Sequence, residues 1–254
     1  EYELIITNTG AIAEREINAI RLLLSRRVEG IILASTQTRE ALDLIRQVVE
    51  KEKIPLVSVD NRLPDLNVDV VSVNSFEGAY TLTRHLLSVG YQRIAIITGP
   101  QTESHARDRL SGYKTALEEA RIAPDETLIG AGNWESESGY ALTAHWLSSG
   151  DPPEAIFACN NFMGMGALSA MRDASVAVPE DIALVSFDDV EFGYLLHPAL
   201  TTLKYSWQAV GEKAIELLLR RLDGQEKDAP PQHIDIPFEL MIRDSCGAQR
   251  RGSG

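Results

Sequence analysis

Arg109, Trp134, Asn160, Asp188 and Trp207 are, by residue type, the equipment for gripping a polyhydroxylated molecule. A carboxylate accepts hydroxyl protons and an amide both donates and accepts. A guanidinium offers a planar fork of donors, and an indole gives a flat apolar face for a sugar ring. Their spacing groups them. Asp188-Asp189 follows the apolar run Ile182–Phe187, and Asn160-Asn161 follows Ala155–Cys159, so each pair emerges where a strand should end. The carboxyl ends of strands are where α/β sheets bind ligands. Arg109 lies in the helix after Gly99-Pro100, near the first expected crossing between two lobes. Each residue also has a plainer use. Asp188-Asp189 could cap a turn, and Asn160 or Asn161 could cap the next helix. The tryptophans could be core, and Arg109 could pair with Asp108 or Glu103 at the surface.

Covalent chemistry finds little support. The sequence has no GxSxG elbow, Walker A loop, HExxH helix or EF-hand loop, and its five histidines are scattered without ligand spacing. Gly164-Met165-Gly166 lacks the last glycine of a dinucleotide loop and falls inside a helical pattern. Adjacent carboxylates in an extended segment point to opposite faces, so Asp188 and Asp189 cannot flank one bond. No enzyme activity, cofactor or metal site is therefore expected.

These residues need a scaffold. Apolar runs at Glu3–Thr7, Gly30–Ala34, Pro55–Val59, Val68–Val73 and Arg93–Thr98 alternate with amphipathic stretches, the signature of a parallel sheet faced by helices. Ile17, Ile20, Leu23 and Leu24 make one stripe over 13–26, and Leu42, Ile45 and Val49 make another over 41–51. The rhythm resumes after a helix over 104–121, with strands at Thr127–Ala131, Ala155–Cys159 and Ile182–Phe187 and helices over 137–148, 163–174 and 207–222. The tail 247–254 is expected to be disordered.

Composition sets the bounds. The 254 residues carry 44% hydrophobic and 24% charged side chains, ordinary for a folded chain. The net charge of −13 excludes nucleic-acid binding through this surface, which would need clustered Lys and Arg. No run approaches membrane-spanning length and the start has no signal-peptide pattern. Two cysteines without CxxC spacing suit a reducing, cytoplasmic setting. Opening on Leu4-Ile5-Ile6 without an initiating Met, Glu1 is not expected to be the natural start.

At these residues the sequence resembles the effector-binding core of the lactose-repressor (LacI/GalR) family of bacterial transcription regulators. The resemblance rests on Leu23–Leu33, Pro55–Asn61, Gly90–Ala95 closing on Gly99-Pro100, Arg109–Tyr113, Pro179–Asp189 and Pro198–Leu203. It implies a periplasmic binding protein-like α/β fold of two doubly wound parallel-sheet lobes joined by three crossovers, with effector held in the cleft between them. The lobes are expected to comprise 1–99 plus 205–232 and 100–204 plus 233–246. Arg109, Asn160 and Asp188 match the family's polar effector contacts, and Trp134 and Trp207 its aromatic ones.

Glu103 and His105 stand where members vary with their effectors, and His105 is included as a ligand contact. An acid at 103 favours a neutral or cationic polyol, so the expected partner is a neutral sugar. The resemblance also implies a homodimer, and operator DNA bound only through a helix-turn-helix head that these residues do not contain. Its first core strand and helix are likewise expected to be missing, because the match starts at the second strand, Leu4–Thr7. An extracytoplasmic sugar-binding protein of an uptake system is the chief alternative, and a sugar-modifying hydrolase on the same scaffold a lesser one.

Overall fold

The computed structural model describes residues 2–190, 193–224 and 229–251. The chain separates into two compact units. The first comprises Glu1–Val73, Thr102–Ser104 and Ser206–Ile236, and the second Asn74–Gln101, His105–Tyr205 and Pro237–Gly254.

In the first unit, β1 (Ile31–Leu33), β2 (Leu56–Val59), β3 (Asp69–Val73) and β9 (His233–Ile236) form a parallel sheet in that order. The helices follow from their stripes. Helix α1 (Ala13–Ser25) buries Ile20. Helix α2 (Arg39–Glu50), capped by the Thr38 side chain on the Ala41 N–H, buries Ala41, Ile45 and Val48 at intervals of four and three. Ile20, Ile31, Ile45, Val48, Leu56, Leu63 and Val68 make one core cluster. Helix α7 (Trp207–Leu222) packs on β2 and β3, and its last turn is tied down by a bidentate pair, Arg221 Nε and Nη2 to Asp69 at 2.8 and 2.7 Å.

The second unit holds a six-stranded sheet. Its order is β10 (Phe238–Met241), β8 (Thr201–Tyr205), β7 (Ala183–Asp188), β6 (Ala155–Ala158), β4 (Ile94–Thr98), β5 (Ile129–Ala131). All neighbours pair parallel except β10 on β8. Strands β4 and β6 are buried along their whole length, as a sheet covered on both faces requires. Helices α3 (Ser75–Val89), α4 (Ser104–Glu119), α5 (Ser136–Ser148) and α6 (Asn161–Asp173) complete it. Gly166 lets α5 and α6 touch backbone to backbone: a Cβ there would fall 1.9 Å from the Ser136 carbonyl oxygen.

Three expectations need correction. Glu3–Thr7 forms no strand, and Leu4 and Ile6 are 83% and 81% exposed. An apolar run becomes a strand only beside a partner for its N–H and C=O groups, and β1 pairs with β2 alone among the described residues. The division between units also falls elsewhere than expected. Residues 74–99 belong to the second unit, because β4 pairs with β5 and β6 and α3 packs against β6, β7 and β8. His233–Ile236 belongs to the first, through its ladder with β3. The tail, finally, carries a short helix, α8 (Ala248–Arg251), while 252–254 lie outside the described residues.

Candidate functional site

Five of the six sequence-predicted site residues lie in the second unit, around the carboxyl ends of β4, β6 and β7. Arg109 reaches this rim from α4. Its side chain is buried, with the residue 3% exposed. The guanidinium carbon lies 3.6 Å from the Phe187 ring centroid and 5.6 Å from that of Trp134. Nη1 donates to the Cys159 carbonyl at the end of β6, and Nε donates to Ser75 Oγ at 3.3 Å. Stacking fixes the plane of the fork and the hydrogen bonds fix its rotation.

Asn160 takes the capping role that sequence left open. Its Oδ1 accepts from the Met163 N–H at 2.9 Å as N-cap of α6, and its Nδ2 donates to the Trp134 carbonyl at 2.8 Å. Cap and indole are thereby one assembly. Trp134 sits in the left-handed region, φ +71°, and lies directly on Gly99, where a Cβ would fall 1.9 Å from the indole Cζ2. His105 stacks on the indole, centroids 4.7 Å apart and planes 20° from parallel.

The two adjacent aspartates divide their work. Asp188, the last residue of β7, accepts from the Tyr205 hydroxyl at 2.7 Å. Asp189 turns away to a bidentate ion pair with Arg243, at 2.7 and 2.9 Å, and accepts from Thr202 Oγ1 at 2.8 Å. Burial raises the Asp189 carboxyl, but the hydrogen bonds from Arg243 and Thr202 and the Arg243 charge outweigh it, leaving it below its ordinary value. The same hydrogen bond raises Arg243.

Trp207 belongs to the other unit. It opens α7 in the first unit and is 57% exposed. Phe187, Tyr205, Ser75 and the Cys159 carbonyl were not among the expected residues, although they fix Arg109 and Asp188. Cys159 and Cys246 are free and fully buried, and burial pushes the Cys159 thiol up to about 12.

One cluster imitates a catalytic relay. In the first unit Ser72 Oγ lies 2.9 Å from His233 Nε2 and 3.0 Å from Asp235 Oδ1. Asp235 lies 3.2 Å from that same Nε2, whereas a relay requires the carboxylate on Nδ1. Among the described residues no group of three or more His, Cys, Asp or Glu could hold a metal ion, and no helix is long and apolar enough to cross a membrane.

Parallel-sheet units with a guanidinium, an amide, a carboxylate and an indole gathered at strand ends define a ligand-binding protein of the periplasmic binding protein type. The periplasmic binding protein-like domain family matches residues 83–246. The chain is 34% identical over 246 residues to the HTH-type transcriptional repressor PurR of Haemophilus influenzae (strain PittEE), covering 96% of this chain and 72% of that protein. Among solved structures it is similar to a transcriptional regulator CelR-cellobiose complex, with TM-score 0.83 and 28% identity over 92% of this chain and 71% of that one. It is also similar to a sugar-binding transcriptional regulator of the LacI family from Escherichia coli, with TM-score 0.77 and 30% identity over 92% and 82%. The chain belongs to the LacI/GalR family of transcription regulators, of which it is the effector-binding core.

Proposed function

We propose that the rim of the second unit binds a neutral polyol, a sugar, and that no bond of the ligand is made or broken. The observation that carries the reading is the prearranged set around Arg109. A fork held flat on Phe187 stands beside the Trp134 indole, with Asp188 at the end of the same strand as Phe187. Such a set presents donors, an acceptor and an apolar face in fixed directions, so little side-chain ordering is left for binding to cost. The cellobiose and sugar-binding descriptions of the two solved structures support the ligand class.

Arg109, Trp134, Asn160, Asp188 and His105 are the proposed contacts, with Asn160 acting chiefly by holding the Trp134 carbonyl and the start of α6. Trp207 is proposed as an aromatic contact from the first unit. An effector held by both units favours one of their arrangements over others, and this shift would be the signal passed to a DNA-binding head of a cytoplasmic dimer. The uptake-protein alternative is not favoured, since the relative at 34% identity is a repressor.

The test is a calorimetric titration with glucose, galactose, ribose, cellobiose, adenosine and guanosine, repeated with Asp188→Ala. A sugar should bind wild type and lose at least about tenfold in the variant, the size of one charge-assisted hydrogen bond. A nucleoside as the tightest ligand would overturn the sugar reading, and unchanged affinity in Asp188→Ala would overturn the site.

A further inference from the structure

The first unit carries a polar rim of its own at the carboxyl ends of β1 and β2. Ser35, Thr36 and Gln37 follow β1, Asn61 follows β2, and all four are buried, as is Ser104 of the same unit. Most of their polar atoms are accounted for. Asn61 Nδ2 donates to the Ser35 carbonyl at 3.0 Å, and Ser104 Oγ donates to Asn61 Oδ1 at 3.1 Å while accepting from the Arg62 N–H at 2.9 Å. Glu16, wholly buried on α1, uses Oε2 to accept from the Thr36 N–H at 2.8 Å and its hydroxyl at 2.6 Å.

At this rim two acceptors are left over: Glu16 Oε1 and Gln37 Oε1 have no hydrogen-bond partner although both are buried. A buried acceptor without a donor costs on the order of 1–3 kcal/mol, so such atoms are rare and call for a reason. Gln37 is unusual in a second respect. Its backbone lies in the left-handed region at φ +55°, uncommon for a residue other than glycine, and it is only 4% exposed. Strained backbone and an orphaned acceptor coincide at the end of a parallel strand, where α/β sheets take their ligands.

We infer that Gln37 is a specificity-determining contact whose Oε1 accepts a hydrogen bond from a hydroxyl of the effector, held in place by Ser35, whose Oγ accepts from the Gln37 N–H at 3.1 Å, and by Ser104, whose Oγ accepts from Gln37 Nε2 at 3.4 Å. The inference rests on the reading that this chain binds a polyol. It adds a distinct acceptor in the first unit, so the effector must bring a donor there.

The test uses the tightest ligand from the panel of glucose, galactose, ribose, cellobiose, adenosine and guanosine. Gln37→Met keeps length and removes the acceptor, and should weaken binding about tenfold with little change in melting temperature. Gln37→Glu keeps an acceptor oxygen and should bind within about threefold of wild type. Binding of Gln37→Met within twofold of wild type, while Asp188→Ala has lost the ligand, overturns the inference and leaves the polyol reading intact. A panel in which nothing binds overturns both. Should Gln37→Met not fold, Gln37→Glu decides: retained binding supports the inference, and a tenfold loss overturns it.

Discussion

Replacing Gly99 by alanine adds one carbon and tests whether the Trp134 platform is as closely built as the distances say. The new Cβ would fall 1.9 Å from Cζ2 of the indole and 2.3 Å from Cε2 and Cη2. Trp134 has little room to yield, since its carbonyl is held by Asn160 at 2.8 Å and its ring is covered by His105 at 4.7 Å. If the indole stays, the overpacking costs about 1–3 kcal/mol. If it swings out, the aromatic pair worth about 0.5–1.5 kcal/mol is lost and the platform with it. In either case a loss of about 1–2 kcal/mol corresponds to a fall in melting temperature of roughly 2–8 °C for a chain of this size. Thermal melting reads the stability. Emission in a Trp146→Phe, Trp207→Phe background reports Trp134 alone, since the chain has three tryptophans. A melt within 1 °C of the parent together with an unshifted spectrum would refute the reasoning.

Arg221→Met leaves the Asp69 carboxylate buried without its bidentate partner and should cost about 3–5 kcal/mol in urea unfolding; a loss under 1 kcal/mol would show that Asp69 finds another donor. Arg109→Lys keeps the charge but loses the stacked fork on Phe187 and one or both of its bonds to Cys159 and Ser75. It should destabilise by about 2–4 kcal/mol, measured by calorimetry, and behave as anything but a conservative change. Asp189, whose folded value is depressed below 3.8, contributes stability that is complete above its unfolded value and lost as pH falls through the folded one. Arg243→Met should therefore flatten the stability profile below about pH 4, and an unaltered acid slope would count against the pair.

Much of the scaffold was legible because helices in α/β units announce themselves through their buried stripe. Leu42, Ile45 and Val49 mark α2; of these Ile45 is fully buried and the other two pack partly buried against the same core, while the neighbouring Val48 and the Thr38 cap emerge only in the structure. The strand-end rule likewise located Asp188 and Asn160 without any contact being known. What could not be read locally was partnership. Leu4–Ile6 has the composition of a strand, yet strand formation is decided by a neighbouring ladder. Phe187 reads as one more apolar residue in a run, and nothing in its surroundings in the chain says that a guanidinium from α4 will lie 3.6 Å from its ring. The sequence singled out Asp188 but not what occupies its neighbour: Asp189 is taken by Arg243, and Asp188 by Tyr205, from segments distant in the chain. Glu16 and Gln37 were invisible as polar core, since a glutamate on a helix and a glutamine in a loop normally read as surface.

Both thiols, Cys159 and Cys246, are fully buried, and burial pushes the Cys159 thiol up to about 12, so the native protein should resist alkylating reagents. Modification must wait for an opening of the second unit, to which both belong. The pair is thus a built-in clock. With reagent in excess the labelling rate reports how often that unit opens, and with reagent scarce it reports the open population. Because the Cys159 carbonyl receives the Arg109 fork, a ligand that locks the fork should slow that clock, so the fold carries an indicator of occupancy that needs no attached dye.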